Sequence, residues 1–276
     1  MKQVHIDLLS CPVCGADCAC TEDGKGLKCK GIRTHCYDFS KSGYLNLAGP
    51  RAGAGDLKAA IRARSDFLNE NYYEPLADEV CRILSEHGAS VALDAGCGEG
   101  YYTNRMANVC AVMGADLSVA GIDHAAKTAK REQNDAGYIV ASLFTLPIKE
   151  KSVDAITNLF APCAEDEFLR VLKDDGIVVI VAAGERHLFG LKQAIYENPY
   201  SNLGRADLPK TMQLVEKRRL TYEIDVLGTQ KIEALFSMTP YYWRTSEQDK
   251  AKLSSLEELK TEVDFDIFIY RKGTRE

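Results

Sequence analysis

The stretch V-A-L-D-A-G-C-G-E-G-Y-Y, Val91 to Tyr102, decides the fold. Small and apolar residues run into Asp94, glycines follow at Gly96, Gly98 and Gly100, and a helical pattern begins at once. The segment therefore reads as buried strand, tight loop and helix. Glycines let the backbone turn sharply at the carboxyl end of the strand and let a ligand lie against it, where a β-carbon would collide or forbid the dihedrals. That is a nucleotide-cofactor loop. The dinucleotide fingerprint Gly-x-Gly-x-x-Gly would put its third glycine at position 101, which is Tyr101, so a pyrophosphate reading is weakened. Twenty positions after Gly96, Asp116 ends the next strand, the separation expected when one helix and one strand intervene. A carboxylate there suits a diol, because it accepts two hydrogen bonds. NAD enzymes and cofactor-free α/β domains share these features, and the pattern alone does not separate them.

Asp-x-Gly-x-Gly-x-Gly, led by Asp94, resembles the first motif of the Rossmann-like methyltransferases that bind S-adenosylmethionine. The resemblance implies a loop of Gly96, Gly98 and Gly100 that cups the amino-acid end of the cofactor, with Asp116 on the ribose hydroxyls. Around the loop the chain reads as alternating elements. Strands are expected at 111–115, 138–141, 153–159, 177–182, near 214–224 and at 265–270, and helices at 118–132, 165–172, 187–196 and 230–237. Residues 57–87 form one or two helices, broken near Asn71 to Pro75. The expected architecture is α/β, a Rossmann-like class I methyltransferase fold with a seven-stranded, mostly parallel sheet, helices on both faces, and the last strand antiparallel at an edge.

No apolar run approaches the ~20 residues a spanning helix needs, and the N-terminus has neither a signal-peptide nor a transit-peptide pattern. The expectation is a cytoplasmic protein without membrane contact. Six of the ten cysteines fall between Cys11 and Cys36, a local cluster that favours metal over disulfides in a chain of this kind. Cys81, Cys97, Cys110 and Cys163 read as small buried residues. Net charge is −6, but residues 1–65 carry ten Lys and Arg against six Asp and Glu, which leaves −10 for the remainder. Polyanion contact therefore belongs to the N-terminal part.

Cys11-Pro-Val-Cys14 is a knuckle whose thiolates reach one metal ion from a single turn, and Cys29 and His35 complete a tetrahedral set suited to structural zinc. Cys36, Cys18 and Cys20 compete for the later positions. A module this small needs the metal for much of its folding free energy. After it, Ala48 to Asp56 is the best linker in the chain, and Asp56 is placed to cap the next helix. Arg51, Lys58, Arg62 and Arg64 form a basic arm in which Lys58 and Arg62 share a helix face. The expected division is a zinc-binding module suited to polyanion contact (1–47), a basic linker with helices (48–88) and the methyltransferase domain that the resemblance implies (89–276).

The metal-ligand set, G-Y-L-N-L (43–47), Y-Y-E-P-L (72–76), L-D-A-G-C-G-E-G-Y-Y-T (93–103), F-A-P-C (160–163), R-H-L (186–188) and M-T-P-Y-Y-W-R (238–244) occur in the order seen in the large-subunit (23S) ribosomal RNA guanine-N1 methyltransferases. The chain resembles that family, which includes enzymes associated with resistance to tylosin-type macrolides, over nearly its whole length. The resemblance implies cofactor contacts at Tyr73, Gly98, Glu99 and His187, a 23S ribosomal RNA partner, and a target guanine in a hairpin loop. A homodimer is left open. Guanine N1 lies on the Watson–Crick edge, so the base must sit in a loop or be extruded, held on aromatic side chains for which Phe160 and Tyr241 to Trp243 are candidates. The turn Asn158 to Cys163 should face the methyl donor, since ligands bind outside the carboxyl ends of strands. Methylation at N1 requires its proton to leave; Glu99, Asp154 and water are candidate acceptors, with none assigned. Two further readings stand beside this one. One is a small-molecule methyltransferase, for instance on a quinone precursor, with a scaffold finger; the other is a non-enzymatic binding module. The basic arm favours RNA over the first, and the intact Asp94, Gly96, Gly98 and Asp116 set opposes the second.

Overall fold

The structure is a computed structural model that describes residues 1–49, 58–202 and 207–273. Most of the expected linker, with Arg51 and the proposed cap Asp56, lies outside the described residues. The N-terminal part holds a short helix α1 (Gln3–Leu8), three strands β1 (Cys18–Cys20), β2 (Gly26–Cys29) and β3 (Cys36–Asp38), and a two-residue strand β4 (Leu45–Asn46). β1 to β3 form a small antiparallel sheet. Helices α2 (Lys58–Leu68) and α3 (Glu74–Glu86) follow, separated where Asn71 takes a left-handed φ of 64°.

The large sheet contains β5 (Val91–Ala95), β6 (Ala111–Asp116), β7 (Gly137–Val140), β8 (Val153–Leu159), β9 (Leu172–Ala183), β10 (Gln213–Leu227) and β11 (Glu258–Arg271). Helices α4 (Tyr101–Met106), α5 (Val119–Glu132), α6 (Glu165–Val171), α7 (Phe189–Ile195), α8 (Thr229–Ser237) and α9 (Glu247–Ala251) connect or flank these strands. Strand order is β10-β11-β9-β8-β5-β6-β7-β4. The seven expected strands are present, and β4 adds an eighth by pairing parallel to β7.

The last strand is antiparallel as expected but is not at the edge: β11 lies between β9 and β10, antiparallel to both. The side chains explain the order. β11 carries the apolar run Phe265, Ile267, Phe268 and Ile269, all buried, whereas β10 carries Glu216, Lys217, Arg218 and Arg219. A strand with apolar residues on both faces needs neighbours on both sides, and a charged strand protects an open edge against further pairing.

One face of the sheet, through Ala92, Val112, Val179 and Ile267, packs against α3, α7 and α8, and α5 extends that layer over Tyr138 and Val140. The opposite face, through Leu93, Met113, Ile139, Ile156 and Val178, is covered by α6 and by the N-terminal module, whose Ile6, Leu9, Leu27 and Leu45 enter the same core. The module is therefore docked rather than suspended. Ser10 N–H donates to Pro147 O at 3.0 Å and Lys149 N–H to Leu8 O at 2.8 Å, stitching it to the loop before β8.

Candidate functional site

The metal ligands come first in the chain and are the simplest to test. Ligand atoms of Cys11, Cys14, Cys29 and His35 all lie within 4.8 Å of one another. Cys14 Sγ is 3.8 Å from Cys29 Sγ, and His35 Nδ1 is 3.5 Å from Cys11 Sγ and 3.4 Å from Cys29 Sγ. A tetrahedral zinc with Zn–S of about 2.3 Å and Zn–N of about 2.0 Å has edges of about 3.8 Å between sulfurs and about 3.5 Å between sulfur and nitrogen, so the donor set fits the ion. Around it, His35 N–H donates to Cys29 Sγ at 3.2 Å, and that bond above all lowers the thiol pKa to about 6. Tyr37 Oη lies 3.2 Å from Cys11 Sγ, a supporting contact of the kind that orients metal ligands. Cys36, Cys18 and Cys20 do not join the group.

The second site lies at the carboxyl ends of β5, β6, β8 and β9, as the position of ligands in open α/β sheets requires. It is a cleft of about 870 Å³ lined by Tyr73, Asp94, Gly96, Gly98, Glu99, Asp116 and His187 among others. The structure thus gathers seven of the eight residues expected around the cofactor. Gly100 is the exception. It takes φ 81° at the start of α4, where a β-carbon would stand 2.6 Å from Ala125 Cβ and 2.7 Å from Tyr138 Oη, so its role is close packing of the loop on α5 and β7.

Each member is held by an identifiable contact. Asp94 is buried and accepts from Thr103 Oγ1 at 2.5 Å and Thr157 Oγ1 at 2.8 Å, which ties β5 to α4 and β8. Burial raises its pKa to about 6 against those hydrogen bonds. Asp116 accepts Gly98 N–H on Oδ2 at 3.0 Å and Ser118 N–H on Oδ1 at 2.8 Å, leaving each oxygen a lone pair for a ligand. Gly96, at φ 86°, packs so closely on the β8 turn that a β-carbon would fall 2.4 Å from Ala161 Cβ. Among the described residues, a β-carbon at Gly98 would meet only Arg64 Nη2, at 3.7 Å, so the loop leaves an open cradle there. That cradle, the two half-satisfied carboxylate oxygens and the size of the cleft fit a nucleoside ligand such as S-adenosylmethionine.

Tyr73 and His187 form the next wall. Asp264 N–H donates to His187 Nδ1 at 3.3 Å, so the neutral ring carries its proton on Nε2, which lies 3.4 Å from Tyr73 Oη. Tyr73 accepts from the imidazole and keeps its own proton to donate into the cleft. Burial lowers the His187 pKa to about 4.

Several expectations require correction. Asp154 is not near the cleft: it sits at the opposite, amino-terminal end of β8, accepting Ser90 N–H and Val91 N–H at 3.0 and 2.8 Å and Lys173 at 2.6 Å. Arg64 does not belong to an outward basic arm, because its Nε donates to Glu99 at 2.6 Å and brings α2 onto the cofactor loop. Of the proposed aromatic platform, Phe160 and Tyr241 line the cleft. Tyr242 packs instead on Phe236, and Trp243 is exposed beside it. Phe160 holds a left-handed φ of 56°, a conformation costly for a non-glycine residue and concentrated at functional sites. Asn158 fixes that turn by donating to Ala95 O at 2.9 Å and Pro162 O at 3.2 Å. Of the four cysteines expected to be small buried residues, Cys97 is buried and Cys81, Cys110 and Cys163 are half-buried; desolvation raises their thiol pKa values to about 11 for Cys81 and about 12 for Cys110 and Cys163, and well above the usual value for Cys97.

The sequence reading missed Lys192, Tyr200, Asn202 and Arg244, which complete the far wall of the cleft. A signal for Lys192 was present. Leu188, Leu191 and Ile195 form a buried helical stripe, and a lysine on that stripe must be buried with them. Among the described residues, no helix is long and apolar enough to cross a membrane.

Residues 93–180 match the protein family described as a methyltransferase domain. A Bacillus subtilis (strain 168) protein, YxjB, named provisionally as a 23S rRNA (guanine-N(1)-)-methyltransferase, is 30% identical over 98% of this chain and 99% of its own length. A Micromonospora griseorubida protein with the same provisional name is 29% identical over 91% of this chain and 92% of its own. The 23S rRNA (guanine(748)-N(1))-methyltransferase of Streptomyces fradiae is 26% identical over 71% and 70%.

Proposed function

The chain belongs to the family of the 23S rRNA (guanine-N1) methyltransferases, and from that premise we propose that it methylates N1 of a guanine in a hairpin loop of 23S ribosomal RNA. The observation that carries the reading is the joining, in one cleft, of the cofactor loop of Gly96, Gly98 and Asp116 to a wall bearing Phe160 and Tyr241. Cofactor contacts are assigned to Tyr73, Gly98, Glu99, Asp116 and His187, with Asp94 and Gly96 shaping the loop behind them. Bound S-adenosylmethionine supplies an electrophilic methyl group. The chain's part is positional: Asp116 accepts from a ribose diol, Tyr73 donates a hydrogen bond, and Phe160 offers a planar surface to an extruded base. Water serves as acceptor of the N1 proton, since Asp154 is remote and Glu99 is engaged by Arg64. Zinc, held by Cys11, Cys14, Cys29 and His35, is structural, and the module it orders extends the RNA contact in a cytoplasmic enzyme. The divisions 1–47, 48–88 and 89–276 are kept as functional parts. The small-molecule alternative is not favoured, because the relatives matched along nearly the whole chain carry ribosomal RNA in their names.

Primer extension on 23S ribosomal RNA from cells with and without the gene tests the reading. N1 methylation blocks pairing, so one strong stop at a guanine should appear only with the gene. Identical stops in both would overturn it.

A further inference from the structure

Among the described residues, Lys192 is the one buried cation in the wall of the cleft whose place neither the cofactor loop nor the metal site explains. It is 1% exposed, on the stripe of α7 that faces the core. Its Nζ donates to Tyr200 O at 3.0 Å and Asn202 Oδ1 at 2.7 Å, and lies 4.3 Å from the ring centre of Tyr200 and 5.5 Å from that of Tyr241. An ammonium has three donors; oxygens of the described residues take two, and the third has only the ring faces of Tyr200 and Tyr241 beside it. No carboxylate of the described residues pairs with it, and burial alone lowers its pKa. A second group in the same wall is also unmet: the Tyr241 hydroxyl is buried without a hydrogen-bond partner among the described residues, while the adjacent Thr239 donates to Phe236 O at 2.7 Å. Buried donors that lack an oxygen acceptor at the edge of a ligand cleft point to a ligand, because leaving them so costs about 1–3 kcal/mol each.

Strand order indicates which ligand. The glycine loop leaves β5 and Asp116 ends β6, whereas α7 follows β9, on the other side of β8 and its Phe160 turn. Lys192 therefore stands on the far side of the turn expected to face the methyl donor, in a cleft that Leu235, Met238, Pro240 and Tyr241 also line, a setting suited to a flat base.

We propose that Lys192 is a catalytic residue that donates its third N–H to O6 of the target guanine. This rests on the reading of the cleft as a guanine-N1 methyltransferase site. In the reaction, the N1–H bond breaks and its proton passes to water. The N1 electron pair forms the bond to the methyl carbon as the pair of the carbon–sulfur bond withdraws to sulfur, neutralising the sulfonium. Until that bond is complete, negative charge from N1 spreads onto O6, and an oriented ammonium in a dry site stabilises it most where water would stabilise it least. Lys192 keeps all its protons throughout.

The test uses the full-length zinc-loaded enzyme and an RNA transcript containing the guanine located by primer extension. Lys192→Met removes the charge at similar volume. Single-turnover formation of N1-methylguanine should fall roughly 100-fold, as on loss of one oxyanion donor, while S-adenosylmethionine affinity by calorimetry and RNA affinity stay unchanged. An unchanged rate overturns the proposal. So does a rate loss matched by loss of cofactor affinity, which would assign Lys192 to the cofactor carboxylate. A measurement on the wild-type enzyme guards against a variant that fails to fold. RNA with 6-thioguanosine at the target has a more acidic N1 but a poor acceptor at position 6, and should be methylated at N1 more slowly than guanosine. Equal or faster methylation overturns the contact. A wild-type enzyme that makes no N1-methylguanine in the transcript would instead remove the functional reading, and the proposal with it.

Discussion

The metal module and the cofactor loop reach their order by opposite means. In the module, four side chains set the geometry, and three short strands have little core of their own beyond what they share with the sheet through Leu9, Leu27 and Leu45. In the loop, side chains matter less than the space beside the backbone: Gly96 and Gly98 take positive φ, and the strands behind them are buried except at their ends. The first should fail when a ligand atom changes. The second should fail when a β-carbon is added.

The largest effect expected is therefore on the module. Structural zinc contributes on the order of 10 kcal/mol to folding of small zinc domains, so chelation, or Cys29→Ser, should release close to one zinc per chain and expose the amides of β1 to β3 to rapid hydrogen exchange. The sheet should retain most of its protection and its cofactor affinity. Protection lost uniformly would show that module and sheet unfold as one unit. Next in size is Gly96→Val, where the added side chain meets Ala161 Cβ at a distance no real contact tolerates. A cost of several kcal/mol follows from the collision and the left-handed φ together. Calorimetry should detect no S-adenosylmethionine binding, while elemental analysis still finds the zinc. Binding retained by this variant would remove the cofactor loop from the site.

How far each region was legible follows from the same contrast. The glycines, Asp116 and the four zinc ligands stand in short contiguous patterns whose spacing is fixed by one strand, one turn or one ion, so the sequence displays them directly. The far wall is assembled from α2, α7, the 200–202 segment and the 238–244 turn, which meet only in three dimensions. Arg64 shows how such a residue is misread. In sequence it continues the run Lys58, Arg62, yet two residues past Arg62 it lies about 200° round the helix, on the stripe of Ile61, Ser65 and Leu68 that faces inward. Helical phase would have separated it from its basic neighbours. The position of β11 was equally recoverable, since the charge of β10 against the apolar alternation of β11 marks which of the two is the edge. The docking of the module on the sheet was not, because Leu45 and Leu9 reveal nothing of their partners at so great a separation in sequence.

A smaller effect tests His187 in that dispersed wall. Its folded pKa of about 4 lies below the ordinary value of 6.5, so between these values the unfolded chain binds the extra proton. Stability from this group is complete above pH 6.5 and is lost as the pH falls toward 4. The span corresponds to about 3 kcal/mol. Urea unfolding of wild type and His187→Asn should give a difference that is constant above pH 6.5 and moves against the wild type by about that amount at pH 4. A pH-independent difference would mean that the imidazole is not buried as a neutral ring.

The smallest effect expected lies on the outer face of α2, where Lys58 and Arg62 are exposed four residues apart. Their inward neighbour Arg64 is bonded to Glu99, so one helix offers both a cofactor-loop contact and a solvent-facing basic pair. If the pair contacts RNA phosphates, binding weakens as salt rises, and each contact contributes roughly 0.7–0.9 to the slope of log affinity against log salt. Neutralising both as Lys58→Gln and Arg62→Gln should lessen that slope by about 1.4–1.8. Cofactor affinity should stay as it was, because neither side chain lines the cleft. Arg64→Gln should do the reverse, weakening cofactor binding by about 1.5–3 kcal/mol, the range for a hydrogen bond to a charged group, with little change in the salt slope. Filter binding across a salt series and calorimetry on the same three proteins decide it. Equal slopes would reduce Lys58 and Arg62 to an ordinary solvated face, and the RNA contact would then have to come from the lysines and Arg33 of the metal module alone.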